Sequence, residues 1–442
     1  MALQVFTAVT GAAWESGLVS ALDRADHGVT VVRRCVDVSE LLAAAATGTG
    51  QAALLSAELR RLDAETIARL AAAGVAVVGL FEPGDERAAE RLRQLGVPRV
   101  LPADAEPGEI AQALTAAVAG RIRPGRDVAE PRAALAEAVE PKDADGSPVG
   151  AGPPGVRGRV VAVWGPTGAP GRTTVAVGMA DEAARLGIST LLVDADVYGG
   201  VVAQMLGLLD ESPGLAGAAR QAGSGTLNAS SLVRLAWAVR PGLRVLTGLA
   251  RADRWPELRP RAVSAVLEEA RALAELTVVD CAFNLEDDEE LSFDTAAPRR
   301  NGVTLAVLED ADTVICVSGA DPVALQRSIR ALDALRDVLP TVEPMIVVNQ
   351  VRRGPVPGDP RREIAESFER FAARSVGHFL PADRRATDAA LASGRTLAEA
   401  AAGSPLRQAL RLLTASVVGV AAPAARRGAM RRRAASGASA AS

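Results

Sequence analysis

A glycine-rich segment, residues 165–174, carries residue types that hold phosphate. It reads Gly-Pro-Thr-Gly-Ala-Pro-Gly-Arg-Thr-Thr, follows an apolar run ending at Trp164 and opens an apolar-periodic helix. A strand, a glycine turn and a helix N-terminus place backbone N–H groups around a phosphate chain. In the standard phosphate-binding loop of this kind, a lysine reaches the outer phosphates and the hydroxyl of the Ser or Thr after it contacts Mg²⁺. Here Arg172 occupies the lysine position and Thr173 the hydroxyl position. We expect phosphate binding with slow hydrolysis; the alternative is the plain glycine turn of a Rossmann-like sheet.

Three aspartates follow predicted strands of the same region. Asp194 and Asp196 end the next apolar run, and Asp280 ends a later one. Because the carboxyl ends of parallel strands face the ligand crevice, these acids are candidates for metal chemistry. Asp194 and Asp280, with the hydroxyl of Thr173, are predicted to hold Mg²⁺ or its water, and Asp196 to orient the attacking water. For Asp196 the alternative is a structural helix cap.

A carboxamide, Asn349, ends a further apolar run. Its amide has the donor and acceptor that bond both edges of adenine, and simple strand termination is an equal alternative.

Composition excludes several classes of function. The chain has 442 residues, 3% aromatics and a net charge of -4, so neither a base-stacking platform nor a basic field for DNA is predicted. The three cysteines, Cys35, Cys281 and Cys316, lack metal-ligand spacing and are expected to be small buried hydrophobes in a reducing cytosol. No run of 18 apolar residues occurs.

Strand–helix alternation predicts an α/β protein with two doubly wound parallel-sheet domains. The first, residues 1–120, resembles a response-regulator receiver domain, but Ser56 stands in place of the phospho-acceptor aspartate. Thr10 and Gly11 replace its acidic pair, and the lysine after the fifth strand is lost around Leu101. Since the reaction needs those carboxylates for Mg²⁺, we predict a pseudo-receiver used for docking or dimerisation.

Three further segments follow the first domain. Residues 121–157, which hold the chain's one lysine, Lys142, form a Pro/Gly/Ala-rich linker, and residues 158–415 form the second domain. Residues 416–442 form a tail with five arginines and no acid, predicted to be disordered. The tail is a candidate for peripheral contact with anionic lipid, at about 1 kcal/mol per charge, although it lacks the apolar stripe of an inserting helix.

In order and spacing, the loop, the acids and the later strands of residues 158–415 resemble the MinD/ParA family of deviant-Walker P-loop ATPases. Within it the likeness is to the CpaE/TadZ type of Flp/Tad pilus assembly, which has a receiver-like N-terminal domain. The resemblance implies ATP and Mg²⁺ as cofactors and a homodimer. It matches the phosphate loop to Gly168, Ala169, Pro170, Gly171, Arg172, Thr173 and Thr174, the acids to Asp194, Asp196 and Asp280, and the adenine pocket to Asn349, Pro381 and Asp383.

The chain departs from this family at its lysines. The signature lysine, which reaches the partner's nucleotide across the dimer, falls at Thr167, and the loop lysine falls at Arg172. A substitute charge is predicted from Arg299 or Arg300, which follow the acidic run 286–290 after the Asp280 strand. The alternative is that this segment is a solvated loop whose charges neutralise each other.

These features favour a cytoplasmic ATP-binding dimer that localises or assembles a secretion or pilus machine through its receiver-like domain. Its ATPase activity is expected to be weak, and the residues leave open whether ATP is hydrolysed at all. The alternatives are a pseudo-ATPase scaffold and a chromosome-partitioning or septum-site factor, and the acidic net charge makes DNA an unlikely partner.

Overall fold

The computed structural model describes residues 2–9, 15–24, 27–120, 157–208, 213–286 and 299–420. Three sets of residues lie outside this part of the chain: residues 121–156 of the predicted linker, which include Lys142, residues 287–290 of the acidic run, and the arginines of the tail. The α/β fold class is confirmed, with two separate sheets. No helix of the described residues is long and apolar enough to cross a membrane.

The first sheet has five parallel strands in the order β2-β1-β3-β4-β5. This is the doubly wound order of flavodoxin-like folds. Its helices bury two apolar layers, one on each face of the sheet. The strands are β1 Leu3–Ala8, β2 Val29–Arg34, β3 Ala52–Ser56, β4 Ala76–Phe81 and β5 Arg99–Pro102, and the helices are α1 Glu15–Arg24, α2 Val38–Ala46, α3 Ala64–Ala72, α4 Glu86–Gln94 and α5 Pro107–Gly120.

The sequence pattern of residues 57–73 favours a helix over that whole range, whereas α3 begins only at Ala64. Asp63 has an extended backbone, and its side chain accepts a hydrogen bond from the Thr66 N–H at 2.8 Å. An N-cap satisfies a backbone donor that the first turn leaves unpaired, so the helix starts where the cap stands.

The second sheet has eight strands in the order β13-β12-β11-β6-β10-β7-β9-β8. The only antiparallel pair in the described part of this sheet is β8 with β9, at one edge. The strands are β6 Arg159–Trp164, β7 Thr190–Ala195, β8 Trp237–Arg240, β9 Leu243–Leu246, β10 Leu276–Cys281, β11 Thr313–Ser318, β12 Met345–Val351 and β13 Val376–Pro381.

Helices cover both faces of this sheet and enclose its two apolar layers. The helices are α6 Arg172–Arg185, α7 Val202–Met205, α8 Gly214–Gly223, α9 Ala229–Leu235, α10 Pro260–Leu273, α11 Gly302–Asp310, α12 Pro322–Val338, α13 Pro360–Ala372, α14 Arg384–Ser393, α15 Leu397–Ala400 and α16 Pro405–Val418, with a 3-10 helix at Ala252–Glu257.

The three cysteines are buried and unbridged. Cys281 and Cys316 lie in the strands β10 and β11, and Cys35 follows β2. Burial raises the pKa of the Cys35 thiol to about 11 and that of Cys316 to about 12, so both stay protonated and packed as small apolar groups.

Candidate functional site

The glycine loop lies where the winding of the second sheet reverses. Strand β6 sits between β10 and β11, and the chain builds the sheet first on the β10 side and then on the β11 side. In open α/β sheets such a switch point leaves a crevice outside the carboxyl ends of the strands. The loop, residues 165–171, leaves the carboxyl end of β6 and enters this crevice.

The loop has the backbone of an anion cradle. Gly168 and Gly171 have φ angles of 74° and 81°, a region that favours glycine. A Cβ at Gly165 would collide with the carbonyl oxygen of Val317, so the loop can lie flat on β11 only with glycine there. Gly171 is the N-cap of α6 and has no side chain, so the N–H groups of residues 172–174 are available to a phosphate.

Arg172 points into the crevice from the first position of α6. Its Nη1 donates long hydrogen bonds to the carbonyls of Gly165 at 3.4 Å and Pro166 at 3.3 Å, and its Nη2 lies 3.6 Å from Asp196 Oδ2. The guanidinium carbon lies 6.0 Å from the ring centre of Phe283. Its buried Nε has no hydrogen-bond partner within the described residues. The guanidinium is therefore held by weak contacts that a phosphate can replace.

Asp194 and Asp280 form a pair of buried carboxyls at the mouth of the crevice. They stand opposite each other in register on the neighbouring strands β7 and β10, and each is 1% exposed. Asp194 accepts hydrogen bonds from the N–H groups of Asp196 at 3.2 Å and Val202 at 3.1 Å. Neither carboxyl oxygen of Asp280 has a hydrogen-bond partner among the described residues. A buried unpartnered carboxyl costs free energy, which marks a place for a proton or a cation.

The pKa values of this pair follow from burial. Burial raises the pKa of Asp194 to about 7, and the backbone N–H bonds oppose that rise in part. Burial, followed by the charge of Asp194, raises the pKa of Asp280 well above its ordinary range. The nearby Thr173 hydroxyl and the charge of Arg172 lower it only in part. The pair therefore carries at most part of its charge at neutral pH unless a cation enters.

The donors at this mouth fit Mg²⁺. Asp280, Asp194 and the Thr173 hydroxyl offer oxygen atoms, the ligands that Mg²⁺ prefers. No group of three or more His, Cys, Asp or Glu side chains that could hold a metal occurs in the described part of the chain. One or two carboxylates completed by phosphate oxygens is the usual protein set for Mg²⁺, so the two acids suffice.

Asp196 has two environments, one for each oxygen. Oδ1 accepts hydrogen bonds from the N–H groups of Tyr198 at 2.9 Å and Gly199 at 3.2 Å, so it caps the turn after β7. Oδ2 faces Arg172. Asp196 therefore caps a turn and not the helix that the alternative predicted, because α7 begins only after its N-cap Val201. The role of Asp196 in orienting water stays a prediction that rests on Oδ2.

Asn349 braces the glycine loop. Its Nδ2 donates to the carbonyl of Pro170 at 2.9 Å, and its Oδ1 accepts from the N–H of Gln350 at 2.8 Å. The amide that was expected to bond adenine therefore already holds the loop from the end of β12. Contact with adenine through this amide stays a prediction that requires exchange of these partners.

Pro381 and Asp383 lie beside Asn349 at the end of the next strand. Pro381 pairs in register with Val351. Asp383 caps α14 by accepting from the Ala386 N–H at 3.1 Å, and it also accepts from the Ser404 hydroxyl at 2.7 Å. The three residues predicted to contact adenine thus lie at the carboxyl ends of neighbouring strands, and Asp383 also has a structural role as the N-cap of α14.

The structure separates Arg299 from Arg300. Arg300 Nη2 donates to the carbonyl of Val197 at 3.2 Å, and its guanidinium carbon lies 3.8 Å from the ring centre of Tyr198. It therefore reaches the loop that carries Asp196. Arg299 instead lines a groove of about 640 Å³ beside α3 and the start of α10.

An aromatic pair that the sequence reasoning missed lies between the two guanidinium groups. The rings of Phe283 and Tyr198 are 4.8 Å apart between centres. Arg172 lies over one ring and Arg300 over the other. The sequence contains a signal for this pair. In a chain with few aromatic residues, Tyr198 follows Asp196 by two positions and Phe283 follows Asp280 by three.

Ser56 occupies the expected place at the end of β3 in the first domain. It is 4% exposed, and its hydroxyl accepts a hydrogen bond from the N–H of Glu58 at 3.2 Å. Thr10 and Gly11 lie outside the described residues.

The fold and the loop thus define an α/β protein of two doubly wound domains, with a phosphate-type loop in the second. No protein-family model matches the chain. It is 30% identical over 289 residues to the uncharacterized protein Rv3660c of Mycobacterium tuberculosis strain H37Rv, covering 64% of this chain and 71% of the relative. The uncharacterized protein MT3760 of strain CDC 1551 matches equally. The chain belongs to the family of these proteins.

Several solved structures are more distant. A ParA family ATPase from Chlorobium tepidum is 20% identical, with 58% of this chain and 98% of that chain covered and a TM-score of 0.49. The cell division ATPase MinD of Pyrococcus furiosus is 16% identical, with 60% and 100% covered and a TM-score of 0.47. The α/β fold class rests on the two sheets described above.

Proposed function

We propose that the chain binds ATP with Mg²⁺ in the crevice of the second domain and hydrolyses it slowly, as a dimeric localisation or assembly factor of the MinD/ParA type. The observation that carries the proposal is the buried carboxyl of Asp280, which has no hydrogen-bond partner among the described residues, beside a glycine-capped helix N-terminus. An anion cradle and a cation site next to each other match a phosphate chain with its metal.

Each group in the crevice has a task in this proposal. The backbone N–H groups of residues 172–174 bind phosphate oxygens, and Arg172 exchanges its long carbonyl contacts for charge-assisted bonds to phosphate. Asp280, Asp194 and Thr173 hold Mg²⁺, which when bound neutralises charge on the outer phosphates. Because metal ligands must be deprotonated, binding releases protons from the acid pair.

Slow turnover follows from the charges that the loop lacks. Thr167 is neutral, and the single cation inside the loop sequence is the bulky Arg172. Asp196 uses one oxygen to cap its own turn, which leaves one oxygen for a water. Arg300 supports a compensating role, since it already contacts the Asp196 loop.

For the first domain we propose a pseudo-receiver that docks pilus or secretion proteins of the CpaE/TadZ kind or supports the homodimer. Its strand order and the serine at the acceptor position support this proposal. Peripheral contact with the inner membrane face through the arginine tail belongs to the same proposal and rests on sequence alone.

A second candidate is a scaffold with a vestigial nucleotide site. The observation that favours it is that Arg172 and Asn349 both hydrogen-bond to the loop itself. In that case these side chains stay on the loop and replace the phosphates.

The test is phosphate release from ATP, with dimer formation followed by light scattering, for the wild type and Asp280→Ala. We expect slow, Mg²⁺-dependent release that Asp280→Ala abolishes. Asp310→Ala is a matched control. Asp310 also has a buried oxygen without a partner in the described residues, but it ends α11 just before β11 and so lies at the amino ends of the strands, away from the crevice. Equal activity of the wild type and Asp280→Ala would overturn the metal assignment, and absence of both ATP binding and phosphate release would favour the scaffold.

A further inference from the structure

Arg327 lies against the tip of the glycine loop. It is an exposed residue of α12, which follows β11 and begins at the Asp321 N-cap. A Cβ at Gly168 would collide with Arg327 Nη1, so the guanidinium rests directly on the backbone of Gly168. Sequence reasoning did not single out this arginine, since 159 residues separate it from the loop position that it touches.

Tight packing holds α12 in this place. A Cβ at Gly319 would lie 2.7 Å from the Ala324 side chain and 3.1 Å from Pro170 Cδ, so the first turn of α12 and the glycine loop approach each other across this glycine. The buried hydroxyl of Ser328 donates to the buried hydroxyl of Ser318 at 2.8 Å, which ties the helix to β11. The position of Arg327 beside the loop is therefore built into the fold.

No acidic side chain of the described residues pairs with the charge of Arg327. It makes neither a hydrogen bond nor an ion pair with any of the described residues, in contrast to Arg172, which faces Asp196. A guanidinium is weakly hydrated and presents several donors that fit phosphate oxygens. An unneutralised guanidinium on the backbone of an anion cradle raises the positive potential where phosphates are proposed to bind.

We propose that Arg327 binds the phosphate chain of the nucleotide at Gly168 and supplies from α12 the positive charge that Thr167 lacks. This inference rests on the proposed function. The two residues are neighbours in space, because Arg327 touches position 168 and the neutral side chain lies at position 167. A chain with a single lysine thus places a cation at its loop from another helix.

The expected effect is moderate and depends on salt. Because Arg327 is exposed, loss of its charge should weaken ATP binding by about 5-fold at low ionic strength and by less at 0.5 M salt. The loss should be greatest for ATP and smallest for AMP, because the charge acts on the phosphate chain.

The experiment titrates the full chain with ATP, ADP and AMP in calorimetry, for the wild type, Arg327→Ala, Arg327→Lys and Arg330→Ala. Arg330 is a matched control, since it is an exposed arginine one turn further along the same helix and is not among the nearest neighbours of the loop glycines Gly165, Gly168 and Gly171. We expect weaker ATP binding in Arg327→Ala, partial recovery in Arg327→Lys and wild-type binding in Arg330→Ala.

Three results would overturn the inference and are distinguishable from one another. If the wild type binds ATP and Arg327→Ala binds it equally well, Arg327 has no part in the site while the proposed function stands. If the wild type binds no nucleotide, the proposed function and this inference both fall. Equal losses in Arg327→Ala and Arg330→Ala would also refute it, because the effect would then be general surface charge.

Discussion

Replacing Arg172 by alanine separates its contribution to folding from its contribution to ligand binding. In the structure the guanidinium makes two long hydrogen bonds to carbonyls of the loop and one contact at 3.6 Å to Asp196. Hydrogen bonds near 3.4 Å are weak, and the contact with Asp196 is too long for a hydrogen bond. We therefore expect Arg172→Ala to lower the free energy of unfolding by only about 1 kcal/mol.

The expected loss in binding is larger. A charge-assisted hydrogen bond to phosphate contributes about 1.5–3 kcal/mol. The dissociation constant for ATP should then rise by about 10- to 150-fold. Arg172→Lys keeps the charge and should retain most of the affinity.

The assay is calorimetric titration with ATP beside thermal or urea unfolding of the same samples. Affinity that is unchanged in Arg172→Ala would refute the reasoning, since the arginine would then stay on the loop carbonyls in the presence of nucleotide. A fall in stability of several kcal/mol with unchanged affinity would assign the residue to folding alone.

Three further predictions follow from the acid pair, the two arginines and the first domain. Because the pKa of Asp280 is raised in the folded state, the folded protein binds more protons than the unfolded chain. The free energy of unfolding should therefore fall as pH rises above about 4, by up to about 1.4 kcal/mol per pH unit for each carboxyl with a raised pKa. Urea unfolding between pH 5 and pH 9 should show a shallower fall in Asp280→Asn, and parallel curves would contradict the raised pKa. The double change of Arg299 and Arg300 to alanine should abolish ATPase activity and reduce ATP-dependent dimerisation. Arg300→Ala alone should give most of the loss, because only Arg300 reaches the Asp196 loop. Full activity in the double variant would contradict this prediction and leave both arginines as partners of the acidic run. Small phosphodonors should not phosphorylate the first domain, because Ser56 is buried and has no carboxylate, and phosphate incorporation that is lost in Ser56→Ala would show otherwise.

The central strands were predictable because buried parallel strands are nearly continuous apolar runs. The runs Ala52–Ser56, Leu243–Leu246 and Thr313–Ser318 coincide with observed strands. Strand β8, Trp237–Arg240, was missed because it is a four-residue, half-exposed edge strand without such a run. Its pairing depends on the hairpin turn at Gly242, which has a φ of 80°.

The candidate site was predictable in position but not in its contacts. Placing the loop, Asp194 and Asp280 at one edge needs only the rule that parallel strands align their carboxyl ends. The bond from Asn349 to Pro170 and the contact of Arg327 with Gly168 join residues more than a hundred positions apart. Such contacts depend on helix packing, which no local pattern in the sequence encodes.

The most direct test of the account is a titration of the purified full chain with ATP in the presence of Mg²⁺ and again with a chelator, with Asp280→Ala as the comparison. The account predicts saturable binding below millimolar nucleotide that weakens without Mg²⁺ and weakens to a similar degree in Asp280→Ala. Absence of ATP binding at millimolar nucleotide under both conditions, from a protein that unfolds cooperatively, would contradict it.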